Sequence, residues 1–245
     1  MWLGCALGLS SLVDSASMRS GNILWRWLRP LLILLPPTLL FLLECRHPVP
    51  LAGETPWQTI LASDGWWLHL HILQLFLLCG LAISVLCLVA TSIPVSTVLP
   101  LLCSISVFLA FYSALDAITG IASGLVVDNA SVLSMPLQIF GNTLIINFLA
   151  DPLIGGGSFS VTAILAGGGW LVSMLLLAYF AMKHYQVDAW VVVLLVVSGV
   201  SFGLSHLPPN GPIGMLCYLI ACIAILVRQG RHCSPSSVSA SPHYE

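Results

Sequence analysis

The sequence predicts an all-α fold, a polytopic bundle of transmembrane helices. Three observations lead there. Of 245 residues, 58% are hydrophobic and only 7% are charged, where soluble domains carry roughly 25% charged residues. Mean hydropathy is +1.03. No Lys or Arg occurs between Arg46 and Lys183, a stretch long enough for several hydrocarbon crossings of roughly 20 apolar residues each. The same figures exclude other classes. Seven Lys and Arg spread along the chain make no basic patch for nucleic acid. An apolar chain of net charge −2 is not of disordered composition. The partner implied by composition is the lipid bilayer.

Residues 1–26 read as a cytoplasmic N-terminal segment. Met1–Val13 is apolar but has no basic residue ahead of it, so it does not read as a cleaved signal peptide. The bundle is expected over 27–228. Its first span runs from about Trp27 to Leu43 and contains Pro30, Pro36 and Pro37; two adjacent missing donors should kink it. The second runs from Trp66 to Ala90, with Trp66 and Trp67 as an interfacial anchor. The third, about Val98–Val127, is long enough to need tilt or a frayed end. Ser131–Ala150 is apolar on average but holds Pro136, Gln138, Gly141, Asn142 and Asn147. It reads as a polar span, a re-entrant segment or an interfacial helix. The remaining spans are about Val161–Met182, Ala189–Leu204 and Ile213–Val227, the last two separated by the turn Pro208-Pro209-Asn210-Gly211-Pro212. Residues 229–245 are Ser/Pro-rich and are expected to be a disordered cytoplasmic tail.

Basic residues orient the bundle. Arg19, Arg26 and Arg29 precede or open the first span, and Arg228 and Arg231 follow the last. Short basic flanks favour the cytoplasm, so both termini belong inside and the number of crossings is even. Six spans result if Ser131–Ala150 does not cross; seven, if it does, put Arg228 and Arg231 outside. A plasma-membrane location fits.

The candidate site comes from polar residues at membrane depth, which are costly and face a bundle interior or a cavity. His69 and His71 lie early in the second span, and His206 closes the fifth. In a helix, residues i and i+2 point roughly 200° apart, so His69 and His71 face one site together only if the helix start is irregular. Asp116 is the acid deep in the third span. Tyr112, Thr119, Gly120 and Ser123 share its face, and Tyr112 or Thr119 is within helical reach of its carboxylate. Gly120 and Gly124 form a Gly-x-x-x-Gly pair, a helix-packing feature that admits a neighbouring backbone. Gln74 lies one turn beyond His71. Under six spans, His69, His71, Asp116 and His206 fall at similar depth on the outer side.

Imidazoles with a carboxylate suit a transition metal; two His from different helices also suit haem iron. The first reading is therefore metal or haem binding through His69, His71, His206 and Asp116. The second is a small-solute or proton-coupled transporter with Asp116 as coupling acid and Tyr112, Thr119 and Gln74 lining its cavity. The third is a structural or assembly subunit whose polar residues only join helices. Eight Cys include no Cys-x-x-Cys, so no thiolate metal or redox motif is present. Asn129-Ala130-Ser131 matches an N-glycosylation sequon. His47, His184, His232 and His243 read as surface residues.

Overall fold

The computed structural model describes residues 23–90, 93–155 and 159–232. Among these residues the secondary structure is helical throughout, with no strand. The helices are α1 (Ile23–Glu44), α2 (Pro56–Ala62), α3 (Trp66–Val89), α4 (Val95–Leu115), a π-helical segment (Asp116–Ala122), α5 (Ser123–Ala130), α6 (Met135–Ala150), α7 (Val161–Tyr185), α8 (Ala189–Leu204) and α9 (Asn210–His232). Five helical stretches are long and apolar enough to cross a membrane: Trp27–Glu44, Trp66–Val89, Val95–Ala130, Val161–Tyr185 and Asn210–Gly230. α6 and α8 are shorter apolar helices. The protein is a multi-pass helical membrane bundle.

Six helices close a ring. α1 packs against α3 and α9, α9 against α8, α8 against α7, α7 against α4, and the π segment against α3. Core residues such as Leu81, Phe108, Trp170, Leu195 and Tyr218 fill the centre. The third span is one helical stretch of 36 residues, Val95–Ala130, with a π segment inside it, and the spans at both ends of the chain run further than expected. α9 extends to His232, so the chain past Val227 begins as helix, with Gln229 buried, and not as a free tail. Residues 1–22 and 233–245 lie outside the described residues.

Polar side chains hold the helices where backbone groups need them. α1 continues through Pro30, Pro36 and Pro37. Pro37 has no N–H for the carbonyl of Ile33, four residues back. The buried Ser84 hydroxyl of α3 donates to that carbonyl at 2.7 Å and lies 3.0 Å from the Tyr218 hydroxyl of α9. Thus one serine joins three helices and repairs the proline. Beside it, Pro36 packs on Gly80, where a Cβ would meet the proline ring at 3.0 Å. Between α7 and α8, Gly167 and Gly203 bring backbone against backbone, and a Cβ at Gly167 would overlap the Gly203 carbonyl. Ser104 and Ser173 place their hydroxyls 2.8 Å apart between α4 and α7.

The two ends of the ring differ. At one end Arg29 donates to Gln229 and to the Cys87 carbonyl, Gln229 and Tyr185 donate to the Leu88 carbonyl, and Arg228 pairs with Asp188 at 2.6 Å. At the other end stand Glu54, Asp64, Asp128 and Asp151 in connecting segments or helix ends. A separate small core sits at this second end, where Trp57 and Ile60 of α2 meet Val127 of α5 and Ile145 of α6. α2 begins with a capping box in which Thr55 and Gln58 satisfy each other's backbone N–H. α6 packs against α5, α2 and the π segment, outside the ring. Its Leu149 lines a cavity together with Ala163 of α7 and His206, so α6 and the start of α7 meet at this same end.

Candidate functional site

At the acidic end, residues from α1, α3, the π segment and the segment after α8 converge. His71 is buried, and its Nδ1 lies 2.7 Å from Asp116 Oδ1 and 3.2 Å from Gln74 Oε1. Gln74 turns its Nε2 the other way, donating to Glu44 Oε1 at 2.6 Å and to the Tyr112 hydroxyl at 3.3 Å. With Gln74 so oriented, both neighbours of His71 Nδ1 are acceptors, so that nitrogen carries the proton. The far nitrogen, Nε2, is then the free base, and it is buried without a partner.

His47 follows α1 by three residues and is 5% exposed. Its Nδ1 donates to the Pro48 carbonyl at 2.8 Å, which again leaves Nε2 as the base, buried and unpartnered. His206 completes the group. The ring centroids are 5.3 Å apart for His47–His71, 5.1 Å for His47–His206 and 6.5 Å for His71–His206, with planes inclined by 72°, 69° and 73°. Burial pushes the His47 pKa down to about 4, with the neighbouring His71 adding to the effect and the Pro48 hydrogen bond opposing it. Burial likewise holds His206 well below the usual histidine value, with His47 and His71 adding to it. Both rings are therefore neutral at pH 7.

The π segment shapes this site. A π turn leaves backbone carbonyls displaced from the α repeat, and Trp67 Nε1 of α3 donates to the Gly120 carbonyl at 2.8 Å. A Cβ on Gly120 would overlap the His71 ring, and one on Gly124 would meet Trp67 Cδ1 at 3.0 Å. The Gly-x-x-x-Gly pair thus admits two side chains of α3, His71 and Trp67, where a backbone approach was expected; the bulky rings of α3 occupy the space.

Several sequence expectations change here. His69 is exposed and binds its own helix through the Gly65 carbonyl at 2.8 Å; α3 is regular from Trp66, so the two-residue offset turns His69 away from His71. His47 is not a surface residue: the chain leaving α1 folds it under Trp67, centroid to centroid 5.4 Å. Thr119 and Tyr112 do not bond Asp116. The Thr119 hydroxyl donates to the Leu115 carbonyl in its own helix, and Tyr112 is taken by Gln74. Asp116 and Gln74 stand behind His71 and do not line the cavity, whereas Tyr112 and Thr119 do. Gln138 bonds the Ser131 and Leu133 carbonyls, capping its own turn. His184 is half-buried beside Phe180. Glu44, fully buried, and His47 escaped sequence reasoning. Both sit at or past a helix end, where no periodicity assigns a face, and the adjacent pattern Glu44-Cys45-Arg46-His47 resembles an ordinary polar loop.

The three imidazoles face a half-open cavity of about 110 Å³. Its other walls are Phe108, Leu115, Ala166, Trp170 and Phe202, with Tyr112 and Phe202 stacked at 5.6 Å. Among the described residues, no group of three or more His, Cys, Asp or Glu stands arranged to hold a metal ion. No family model matches the chain, and no curated protein or solved structure is significantly similar to it.

Proposed function

We propose that the protein binds a transition metal of the zinc class at its extracytoplasmic end, through His47, His71 and His206. One observation carries the reading. Two of the three imidazoles have their Nδ1 engaged by an acceptor, the Asp116 carboxylate and the Pro48 carbonyl, and present a buried, unpartnered Nε2. Metal-bound histidines are held in this way, the outer acceptor fixing tautomer and ring orientation. Rings sharing one tetrahedral ion at ~2.0–2.1 Å have centroids roughly 5 Å apart. Two sides of the triangle meet this, at 5.1 and 5.3 Å; the His71–His206 side has to close by roughly 1 Å, a rotation of side chains. Neutral rings at pH 7 also suit ligands better than proton carriers. Three protein ligands leave a fourth position for water or substrate. Arg29, Lys183 and Arg228 stand at the opposite end from the histidines, which supports the cytoplasmic assignment of that end.

The test is zinc titration of purified, chelator-stripped protein with elemental analysis. One zinc per chain is expected, with affinity reduced by more than roughly 100-fold in His47→Ala, His71→Ala and His206→Ala and unchanged in His69→Ala. A chain that retains no zinc, or whose zinc is indifferent to these changes, overturns the reading.

A second reading, proton-coupled transport, draws on a different feature. Glu44 and Asp116 each keep an unpartnered buried oxygen and are bridged by Gln74 and His71. In liposomes with excess chelator and an entrapped pH dye, this reading requires proton entry that Asp116→Asn abolishes.

A further inference from the structure

We propose that the open groove between the start of α8 and the end of α9 holds a phospholipid with an ethanolamine head, its phosphate on Arg228 and its ammonium on Asp188. The proposal stands apart from the metal reading, because this groove lies at the end of the bundle opposite the histidines.

The groove has a polar end and an apolar length. From α9 it takes Ile220, Ile223, Ala224, Val227 and Arg228, a spacing that puts all five on one helical face. From Ile220 to Arg228 that face runs roughly 12 Å along the axis. Asn210–Gly230 is long and apolar enough to cross a membrane, so Arg228 stands at the end of the crossing and the apolar strip leads back from it to hydrocarbon depth. Asp188 immediately precedes α8 and pairs with Arg228 at 2.6 Å, which sets both at the same level. Trp190, which also lines the groove, is 50% exposed and has the position of an interfacial aromatic. Ile220, Ile223 and Val227 are exposed as well. An ion pair at head-group level above a strip of exposed apolar side chains follows the division of a phospholipid into head and chain.

Charge complementarity selects the head. The lining carries one cation and one anion, Arg228 and Asp188. Their bond uses a single guanidinium nitrogen, Nη2, and a single carboxylate oxygen, Oδ2. The Asp188 side chain does not cap α8. Among the described residues neither side chain makes a second hydrogen bond, so the guanidinium keeps further N–H donors and the carboxylate a free oxygen. A head in which an ethylene link joins phosphate to ammonium completes a ring of four alternating charges with this pair. An anionic head sets a like charge beside Asp188, and a trimethylammonium brings no N–H to its oxygen. The volume, about 290 Å³, is near the lower end of the roughly 300–1,000 Å³ of small-molecule sites. It takes the head and the adjoining part of one acyl chain, and the rest of the lipid lies in the bilayer.

Native mass spectrometry tests this. The whole protein is released from nanodiscs that hold equal amounts of phosphatidylethanolamine, phosphatidylcholine and phosphatidylglycerol with identical chains. One phosphatidylethanolamine per chain is expected, retained about fivefold over each of the other two, the scale of one exposed ion pair. Asp188→Asn abolishes the preference over phosphatidylcholine. Ala224→Phe, or Ala224→Leu if the former fails to fold, fills the groove and removes the adduct. Equal retention of the three heads, a preference for phosphatidylglycerol, a preference that survives Asp188→Asn, an adduct that survives the Ala224 variants, or a protein dimer in place of the lipid adduct overturns the proposal.

Discussion

The fate of each histidine follows from what its two ring nitrogens meet. His71 and His47 are fixed at Nδ1 and open at Nε2, whereas His69 spends its Nδ1 on its own helix. The separation of His69 from His71 was legible in the sequence, because helical geometry alone sends i and i+2 to opposite faces. That Asp116 and His71 belong to one site was read from their depth along the spans; their direct hydrogen bond was not, because 45 residues separate them and the docking of α3 on the π segment joins them. Asp116→Asn keeps the shape but weakens the acceptor behind His71, so zinc affinity should fall by roughly 10–100-fold with little change in thermal stability; isothermal titration checks the first and a melting curve the second. Gly120→Ala pushes a methyl group into the His71 ring and should reduce zinc affinity as well, together with stability, by roughly 1–3 kcal/mol from overpacking. The pH dependence has a definite sign. A solvent-exposed histidine ligand loses metal as pH falls through about 6.5, because protons compete for the ring. With the His47 pKa lowered to about 4, protons win at that ring only near this lower value. Zinc affinity should therefore fall less steeply between pH 7 and 5 than at an exposed histidine site; a flat response at high pH followed by a break near 6.5 at His47, seen in the ring's NMR titration, contradicts the burial that causes the shift.

Elements were readable to the extent that apolar length defines them. α8 was legible at both ends, since Asp188 precedes it and Ser205-His206 with the Pro208-Pro209 turn follows. α6 was legible as an element but not in its placement. Its composition fits several roles, and Trp57, which packs against Gly141, comes from the short α2, in a stretch too polar to stand out as a span. The π segment was invisible, because nothing in Asp116–Ala122 differs in composition from α-helix; the packing of Trp67 and His71 against Gly120 and Gly124 accompanies it. Pro37 and Ser84 form a pair that can be tested as one. Ser84→Ala leaves the Ile33 carbonyl without its donor and should lower stability by about 1–3 kcal/mol, measured as a melting shift in detergent. In Pro37→Ala the backbone N–H returns to that carbonyl, so the cost of Ser84→Ala should be smaller in that background, and a double-mutant cycle reads the difference. Equal costs in both backgrounds would mean the serine matters only through Tyr218.

For the molecule as a whole, the proposed six-crossing topology places both ends of the described chain on one side and the histidine cluster on the other. Single cysteines introduced at Glu54 and at Lys183, in a chain otherwise free of cysteine, test this: a membrane-impermeant maleimide applied to intact cells should label the Glu54 position and spare the Lys183 position. The reverse pattern inverts the bundle, and equal labelling breaks the six-crossing arrangement. The repaired proline in α1 also has a consequence for biosynthesis. In hydrocarbon, a bare carbonyl is disfavoured by several kcal/mol, and α1 emerges from the ribosome with its Ile33 carbonyl bare and its buried Glu44 without Gln74. The groups that complete it lie on α3, 30 residues beyond Glu44 and 51 beyond Ile33. Nascent α1 is thus incomplete by itself in the bilayer, and the two helices should enter the lipid together as a hairpin.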